Sequence, residues 1–232
     1  MPDWLSLGRV ARALAGALSI AGTLALIACA GPSTATDSAA TSRPAPSAPG
    51  GDALLTQLRD GGVIVVFRHA ATDRSQLDAD DRTGPDAGPV DFADCSTQRN
   101  LTDAGRADAR GIGEAFRALQ IPVGEVWTSP YCRSRETAEL AFSRAEVVSG
   151  LERLFPQRDE VADRRVSQLI RERAPGAGRP NLVISGHGLY PSVLSPAVTL
   201  QEGEAALYTV RGNDVVLIGQ VAPDDWAGLA SN

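Results

Sequence analysis

The sequence predicts an α/β fold, a three-layer α/β/α sandwich with a mainly parallel sheet. Two apolar runs, residues 63–67 and 181–185, lack helical periodicity, as expected of strands buried on both faces of a sheet. Between them, strand-like and amphipathic helical patterns alternate, which is typical of a parallel sheet covered by helices. The chain has 232 residues, 43% of them hydrophobic, so it is long enough for one domain with a substantial core.

The N-terminal part of the chain has the composition of a targeting segment. Arg9 and Arg12 precede an uncharged apolar run at residues 13–28, which is the layout of a secretory signal. Residues 30–50 contain no large apolar side chain and predict a disordered tether. We therefore expect a signal peptide at residues 1–28, a linker at 29–50 and a folded domain at 51–232.

Residues 26–29, Leu-Ile-Ala-Cys, resemble the lipobox of bacterial lipoproteins, whose Cys is lipidated and becomes the new N-terminus. This resemblance implies a lipid anchor at Cys29 and attachment to a membrane. An uncleaved signal anchor is the alternative. Both alternatives place the domain outside the cytoplasm, in the cell envelope.

The segment at residues 72–100 is rich in Asp and Gly and leaves directly from the end of the first strand. We expect a loop that covers the pocket and shapes what can enter it. Its aspartates at 78, 80 and 81 are expected to be solvated. A calcium loop is rejected because Arg82 and Thr83 occupy positions where the EF-hand pattern needs a ligand and a Gly.

The remaining elements are predicted from hydrophobic periodicity and from residues that cap or end helices. An amphipathic helix begins after Leu101, with Thr102 or Asp103 as N-cap, and ends before Pro122. The other predicted elements are a strand at 125–129, helices at 130–140 and 159–173, and a terminal hairpin at 205–210 and 215–221. Arg133 lies in the first turn of its helix, where backbone N–H groups and the helix dipole favour an anion.

Both histidines of the chain, His69 and His187, follow predicted strands, and Arg68 directly precedes the first. Ligands of open α/β sheets bind outside the carboxyl ends of the strands, so a pocket is expected there. All 22 basic residues are Arg, which excludes Schiff-base and P-loop lysine chemistry and leaves guanidinium groups for oxyanions. The net charge of −6 argues against nonspecific nucleic-acid binding.

Four motifs occur in the order seen in the histidine phosphatase superfamily, which has the phosphoglycerate-mutase-like fold. They are Arg68-His69, Leu101-Thr102-x-x-Gly105, Ser129-Pro130-x-x-Arg133 with Thr137-Ala138, and Gly186-His187-Gly188. The chain resembles this family over residues 60–220. Each motif alone is weak, but four in order that use both histidines are specific.

The resemblance implies that His69 attacks a phosphoryl group and forms a phosphohistidine that water hydrolyses. A neutral imidazole is a competent nucleophile for this step. Arg68, Arg133 and His187 would bind the phosphoryl oxygens, and Thr72 matches a hydroxyl contact of the family. No metal and no cofactor are expected, because these groups supply the positive charge.

The general acid is assigned by the same resemblance. An acidic residue between the second Arg and the second His has this role in the branch that the chain most resembles, and Glu152 is the nearest match. Glu202 and Glu204 are the alternatives. The chain departs from the family pattern at Ala70, where the family has Gly, and at Ser75, where it has Asn.

The cysteines predict a disulfide. If Cys29 is lipidated, only Cys95 and Cys132 remain, in an exported and oxidising setting. Their bond would tie the long loop down beside Arg133.

The predicted function is an extracytoplasmic phosphatase that hydrolyses phosphate monoesters of small molecules through a phosphohistidine. Phospho-sugars or phospholipid head groups of the envelope are a more specialised substrate class. The alternative is a noncatalytic anion-binding envelope lipoprotein on the same fold, which Ala70, Ser75 and the uncertain acid favour.

Overall fold

The computed structural model describes residues 51–152, 160–188, 194 and 198–230. The predicted signal peptide, Cys29 and the predicted tether lie outside the described residues. In the described part of the chain, none of the helices is long and apolar enough to cross a membrane.

The described residues form a sheet of six strands, in the order β3-β2-β4-β1-β5-β6. The strands are β1 (Ile64–Arg68), β2 (Val123–Thr128), β3 (Glu146–Val147), β4 (Asn181–Gly186), β5 (Ala205–Arg211) and β6 (Asp214–Val221). Strands β3, β2, β4 and β1 are parallel, and β5 and β6 form the predicted antiparallel hairpin at one edge. The predicted mainly parallel sheet is therefore confirmed.

Helices from several parts of the described chain cover the two faces of this sheet. They are α1 (Gly51–Asp60), α2 (Asp103–Ala118), α3 (Cys132–Phe142) and α4 (Glu160–Glu172). Side chains of α1, α2 and α3 pack with Val65 and Phe67 of β1, whereas those of α4 pack with Ile64 and Val66. Because alternate residues of a strand point to opposite faces, two apolar layers result. The predicted three-layer α/β/α sandwich is confirmed.

Helix α1 has no counterpart in the sequence analysis. It buries Leu54, Leu55 and Leu58 against the sheet. These three residues lie at helical spacing, but a helix this short is stable mainly because it packs on other elements. Its formation therefore depends on tertiary contacts.

Helices α2 and α3 approach each other closely. Thr102 caps α2, because the backbone N–H of Gly105 donates to Thr102 Oγ1 at 3.0 Å. A Cβ atom on Gly113 of α2 would overlap the carbonyl oxygen of Ala141 of α3. The absence of a side chain at Gly113 therefore sets the position of α3, which carries Arg133.

The loop at residues 72–100 is attached to the domain at several points. Thr72 pairs with Leu101 as an isolated antiparallel bridge. Near the other end, Cys95 forms the predicted disulfide with Cys132, the first residue of α3. The buried side chain of Gln98 accepts a hydrogen bond from the backbone N–H of Cys132 at 2.9 Å. The loop is thus held against the N-terminus of α3.

Candidate active site

The register of two strands brings the histidines together. In the parallel pair of β1 and β4, Arg68 lies opposite Gly186, so the next residues, His69 and His187, leave the sheet at the same edge. Their ring centroids are 5.6 Å apart and the ring planes are 73° apart. The two residues are 2% and 5% exposed. Two imidazoles that are more than a hundred residues apart in the sequence are thus neighbours in one buried site.

The surroundings of His69 define its protonation. Its Nδ1 lies 2.9 Å from the carbonyl oxygen of Ala70. A carbonyl only accepts hydrogen bonds, so Nδ1 carries the proton and Nε2 carries the lone pair. Burial, and next the nearby charge of Arg133, lower the pKa of His69 well below its usual value of 6.5. Both effects favour the neutral imidazole that a nucleophile requires.

Helix α3 fixes the backbone next to this nucleophile. The backbone N–H of Ala70 donates to Thr137 Oγ1 at 3.0 Å, and Thr137 in turn donates to the carbonyl oxygen of Arg133 at 2.7 Å. The Ala70 methyl group is fully buried in a small apolar cluster with Leu101 and Ala109. The departure from glycine at position 70 is therefore accommodated by packing.

His187 is oriented by residues that follow β2. Its Nε2 lies 3.0 Å from Ser129 Oγ. The ring of Tyr131 meets the imidazole edge to face, with centroids 5.2 Å apart. Ser129 begins one of the four family motifs. The sequence analysis gave it no role, because a serine in a turn has many possible functions.

Arg133 is fully buried and paired with a carboxylate of the long loop. Its Nη1 donates to Asp78 Oδ1 at 2.8 Å, and both side chains are at most 1% exposed. The guanidinium also lies over the ring of Tyr131, 4.4 Å from its centroid. The expectation that Asp78 is solvated is wrong. A buried guanidinium needs a nearby negative charge, and the loop supplies it.

The N-terminus of α3, which was predicted to favour an anion, differs from that prediction in one respect. The backbone N–H of Cys132, in the first turn of α3, donates to Gln98 and is already satisfied. Any anion beside Arg133 would therefore rely on the guanidinium more than on this N–H group.

Glu202 joins Arg68 to Thr72. Thr72 donates to Glu202 through both its hydroxyl, at 2.8 Å, and its backbone N–H, at 3.2 Å. Arg68 Nη2 lies 3.5 Å from Glu202 Oε1, and Arg68 Nη1 donates to the carbonyl oxygen of Leu200 at 2.9 Å. The Thr72 hydroxyl, expected to contact phosphate, is thus directed at a carboxylate.

The three candidates for the general acid lie in different surroundings. Glu152 accepts a hydrogen bond from the backbone N–H of Gly150 at 2.7 Å, and Glu204 accepts from Gln201 and Gln220. The described contacts of Glu202 reach two residues that are predicted to bind phosphate, Arg68 and Thr72. The assignment of the acid stays a prediction.

Arg99 is a residue near the site that the sequence analysis missed. Its backbone N–H donates to Asp78 Oδ1 at 2.9 Å, and its carbonyl oxygen accepts from Arg133 at 3.5 Å. Its charge contributes to the lowered pKa values of His69 and Arg68. Its position two residues before Leu101-Thr102 was the available signal.

Three aspartates of the long loop lie close together. Among the described residues, carboxylate oxygens of Asp78, Asp80 and Asp81 lie within 4.8 Å of one another. Asp78 is already paired with Arg133. We assign no metal to this cluster.

Part of the chain matches the sequence model of a known protein family. Residues 64–154 match the family model of the histidine phosphatase superfamily, branch 1. The match includes Arg68, His69 and Arg133 and ends before His187. It supports the superfamily and a phosphatase activity. No curated protein sequence matches the chain.

Solved structures of phosphatases are similar to the chain at low identity. The protein histidine phosphatase SixA, in complex with tungstate, is 19% identical, with a TM-score of 0.46 over 70% of this chain and 98% of its own. Phosphoserine phosphatase from Entamoeba histolytica, in complex with 3-phosphoglyceric acid, is 13% identical, with a TM-score of 0.49 over 69% of this chain and 96% of its own.

Proposed function

We propose that the protein is an extracytoplasmic phosphatase that hydrolyses phosphate monoesters of small molecules through a phosphohistidine intermediate. One observation carries the proposal. The buried His69 holds its proton on Nδ1, which leaves the Nε2 lone pair for attack, and it lies beside His187. Arg68 and Arg133, from β1 and α3, contribute positive charge near the same strand ends.

The reaction has two displacements at phosphorus. In the first, the Nε2 lone pair of His69 forms a bond to phosphorus, the ester P–O bond breaks, and the leaving oxygen takes a proton from a general acid. In the second, water attacks phosphorus and gives a proton to the ionised general acid, the N–P bond breaks, and His69 returns to its neutral form. Arg68, Arg133 and His187 would neutralise the charge on the non-bridging oxygens, which is the main requirement of phosphoryl transfer.

Glu152 is the proposed proton donor on the family pattern, with Glu202 and Glu204 as alternatives. In the structure both carboxylate oxygens of Glu202 accept hydrogen bonds from Thr72. Arg68 Nη2 lies 3.5 Å from the same carboxylate. These contacts favour a role for Glu202 in holding Arg68 and Thr72.

The test compares wild type with His69→Ala on 4-nitrophenyl phosphate, using the full chain in detergent. We expect the variant to lose all but about a thousandth of the turnover, because the nucleophile is removed. Wild type quenched during turnover should carry an acid-labile phosphoryl group that the variant lacks. Arg110→Gln, on the exposed surface of α2, is the control for handling and charge.

A different outcome identifies the alternative function. If wild type binds inorganic phosphate but hydrolyses no ester, the chain is a noncatalytic anion-binding protein. Ser75 fits that alternative, because its hydroxyl and backbone N–H both bond to Asp73 within the loop.

The proposed location is the cell envelope, with a lipid anchor at Cys29. It is supported by the signal layout at residues 1–28 and by the lipobox-like residues 26–29. The Cys95–Cys132 disulfide is consistent with an oxidising compartment.

A further inference from the structure

The cations around His69 differ in how their charge is compensated. Arg133 forms an ion pair with Asp78 at 2.8 Å, and Arg68 lies 3.5 Å from a carboxylate oxygen of Glu202. Asp78 offsets the charge of Arg133, and Glu202, which also lies 3.7 Å from Arg74 Nη2, offsets part of the charge of Arg68. Binding a phosphate dianion requires positive charge beyond these two pairs.

Arg99 supplies charge of this kind. Within the part of the chain that the structure describes, no carboxylate lies within ion-pair distance of its guanidinium, and its hydrogen bonds are made by the backbone. The residue is half-buried, and its Nε atom is shielded from solvent without a hydrogen-bond partner. A buried N–H without a partner is costly, and a bound ligand can satisfy it.

The location of Arg99 places this charge in the site. Its carbonyl oxygen lies 3.5 Å from Arg133 Nη1, and its backbone N–H shares Asp78 with that arginine. Its charge also acts on His69 and on Arg68. The backbone of Arg99 therefore adjoins the Arg133–Asp78 pair, and the charge of its side chain acts on the nucleophile.

We propose that Arg99 is a substrate-binding residue, whose guanidinium contacts the phosphoryl group that is transferred to His69. The proposal rests on the proposed function, because it describes the ligand as a substrate. The contact itself requires only a tetrahedral oxyanion. Arg99 would then be the residue that makes the site attractive to phosphate in a chain whose net charge is −6.

The geometry permits a clean variant. The contacts of Arg99 with Asp78 and Arg133 are made by its backbone, so Arg99→Gln retains them. Arg110→Gln is the matched control, since it removes the same charge from the exposed surface of α2. Arg99→Lys keeps the charge but loses the planar fork that binds two oxygens.

The first measurement is binding of inorganic phosphate by isothermal titration calorimetry with the full chain in detergent. We expect Arg99→Gln to raise the Kd roughly 10- to 100-fold, since one charge-assisted contact is lost. Arg99→Lys should recover part of the affinity, and Arg110→Gln should stay within about twofold of wild type. An unchanged Kd in Arg99→Gln overturns the proposal.

The second measurement compares hydrolysis of O-phosphoserine and O-phosphoethanolamine, which differ by one carboxylate. If Arg99 contacts the transferred group, Arg99→Gln lowers kcat/KM for both substrates by a similar factor. A loss confined to O-phosphoserine would mean that Arg99 binds a second anionic group, and the proposal would be wrong.

The two proposals fail separately. A protein that binds phosphate through Arg99 but hydrolyses no ester contradicts the phosphatase function and supports the role of Arg99. Hydrolysis that depends on His69, together with normal phosphate binding by Arg99→Gln, contradicts only the role of Arg99.

Discussion

The protonation of His69 depends on the carbonyl group of the next residue and on tertiary contacts from distant parts of the chain. The Ala70 carbonyl holds the proton on Nδ1, whereas burial and the charge of Arg133 disfavour a second proton. An exposed histidine at the same place in the sequence would be half protonated near pH 6.5. The tertiary environment therefore converts an ordinary imidazole into a nucleophile that is available at lower pH.

This lowered pKa gives a prediction for pH dependence. The folded pKa of His69 is below 6.5, so the ring stays neutral as the pH falls through 6.5 and is protonated only at lower pH. Activity that requires neutral His69 should be retained over the same interval. The chain has only two histidines, so proton NMR of the Cε1–H signals can follow each one.

The spectrum of His69→Ala assigns the two signals. It removes the His69 resonance and leaves that of His187 as an internal reference. A titration midpoint for His69 at or above 6.5 would contradict the environment described above.

At the level of elements, the contact between α2 and α3 positions Arg133 and Thr137. This contact depends on Gly113, where any side chain would meet the backbone of Ala141. A Cβ atom on Gly111, two residues earlier on α2, would meet open space. The two glycines are therefore in the same helix but under opposite constraints.

Substitution of these glycines by alanine should change stability in opposite directions. Gly111→Ala should raise the free energy of unfolding by about 0.5 to 1 kcal/mol, because alanine is the better helix former. Gly113→Ala should lower it by more than about 1 kcal/mol, because α2 and α3 must separate. It should also lower phosphatase activity, since α3 carries Arg133.

Urea unfolding followed by circular dichroism measures both changes. Gly111→Ala is the control for the general effect of alanine. Equal stability of the two variants would show that the helices can adjust without cost.

The long loop is a second element whose role emerges only in the folded protein. It contributes Asp78 to Arg133 and carries Arg99, and the Cys95–Cys132 disulfide joins it to α3. With a sequence separation of 37 between the cysteines, closure of this loop contributes about 4 kcal/mol in the chain-entropy model. The loop is therefore part of the site and not only a cover.

At the scale of the whole molecule, local and overall charge have opposite signs. The chain carries a net charge of −6, yet arginines gather around His69. An acidic surface weakens attraction of anions from a distance, so selectivity for phosphate must come from short-range contacts. This is the arrangement that the proposed role of Arg99 explains.

The proposed anchor at Cys29 is tested by expressing the full chain in a bacterial host with a labelled fatty acid. Wild type should incorporate the label and lose residues 1–28, because lipidation precedes cleavage at the cysteine. Cys29→Ser should remain unlabelled and unprocessed, whereas Ser33→Ala should behave like wild type. Unlabelled wild type that keeps residues 1–28 would instead support an uncleaved signal anchor.

The sequence by itself predicted strands β1, β2, β4, β5 and β6, helices α2 to α4 and the histidines at strand ends, because hydrophobic periodicity and capping are local properties. The tertiary structure alone decided helix α1, strand β3, the register of the strands and the partners of the charged groups. Asp78 lies 55 residues from Arg133 and Glu202 lies 130 residues from Thr72 along the chain. Whether an aspartate is solvated or pairs with a buried arginine depends on what folds against it, and no local pattern carries that information.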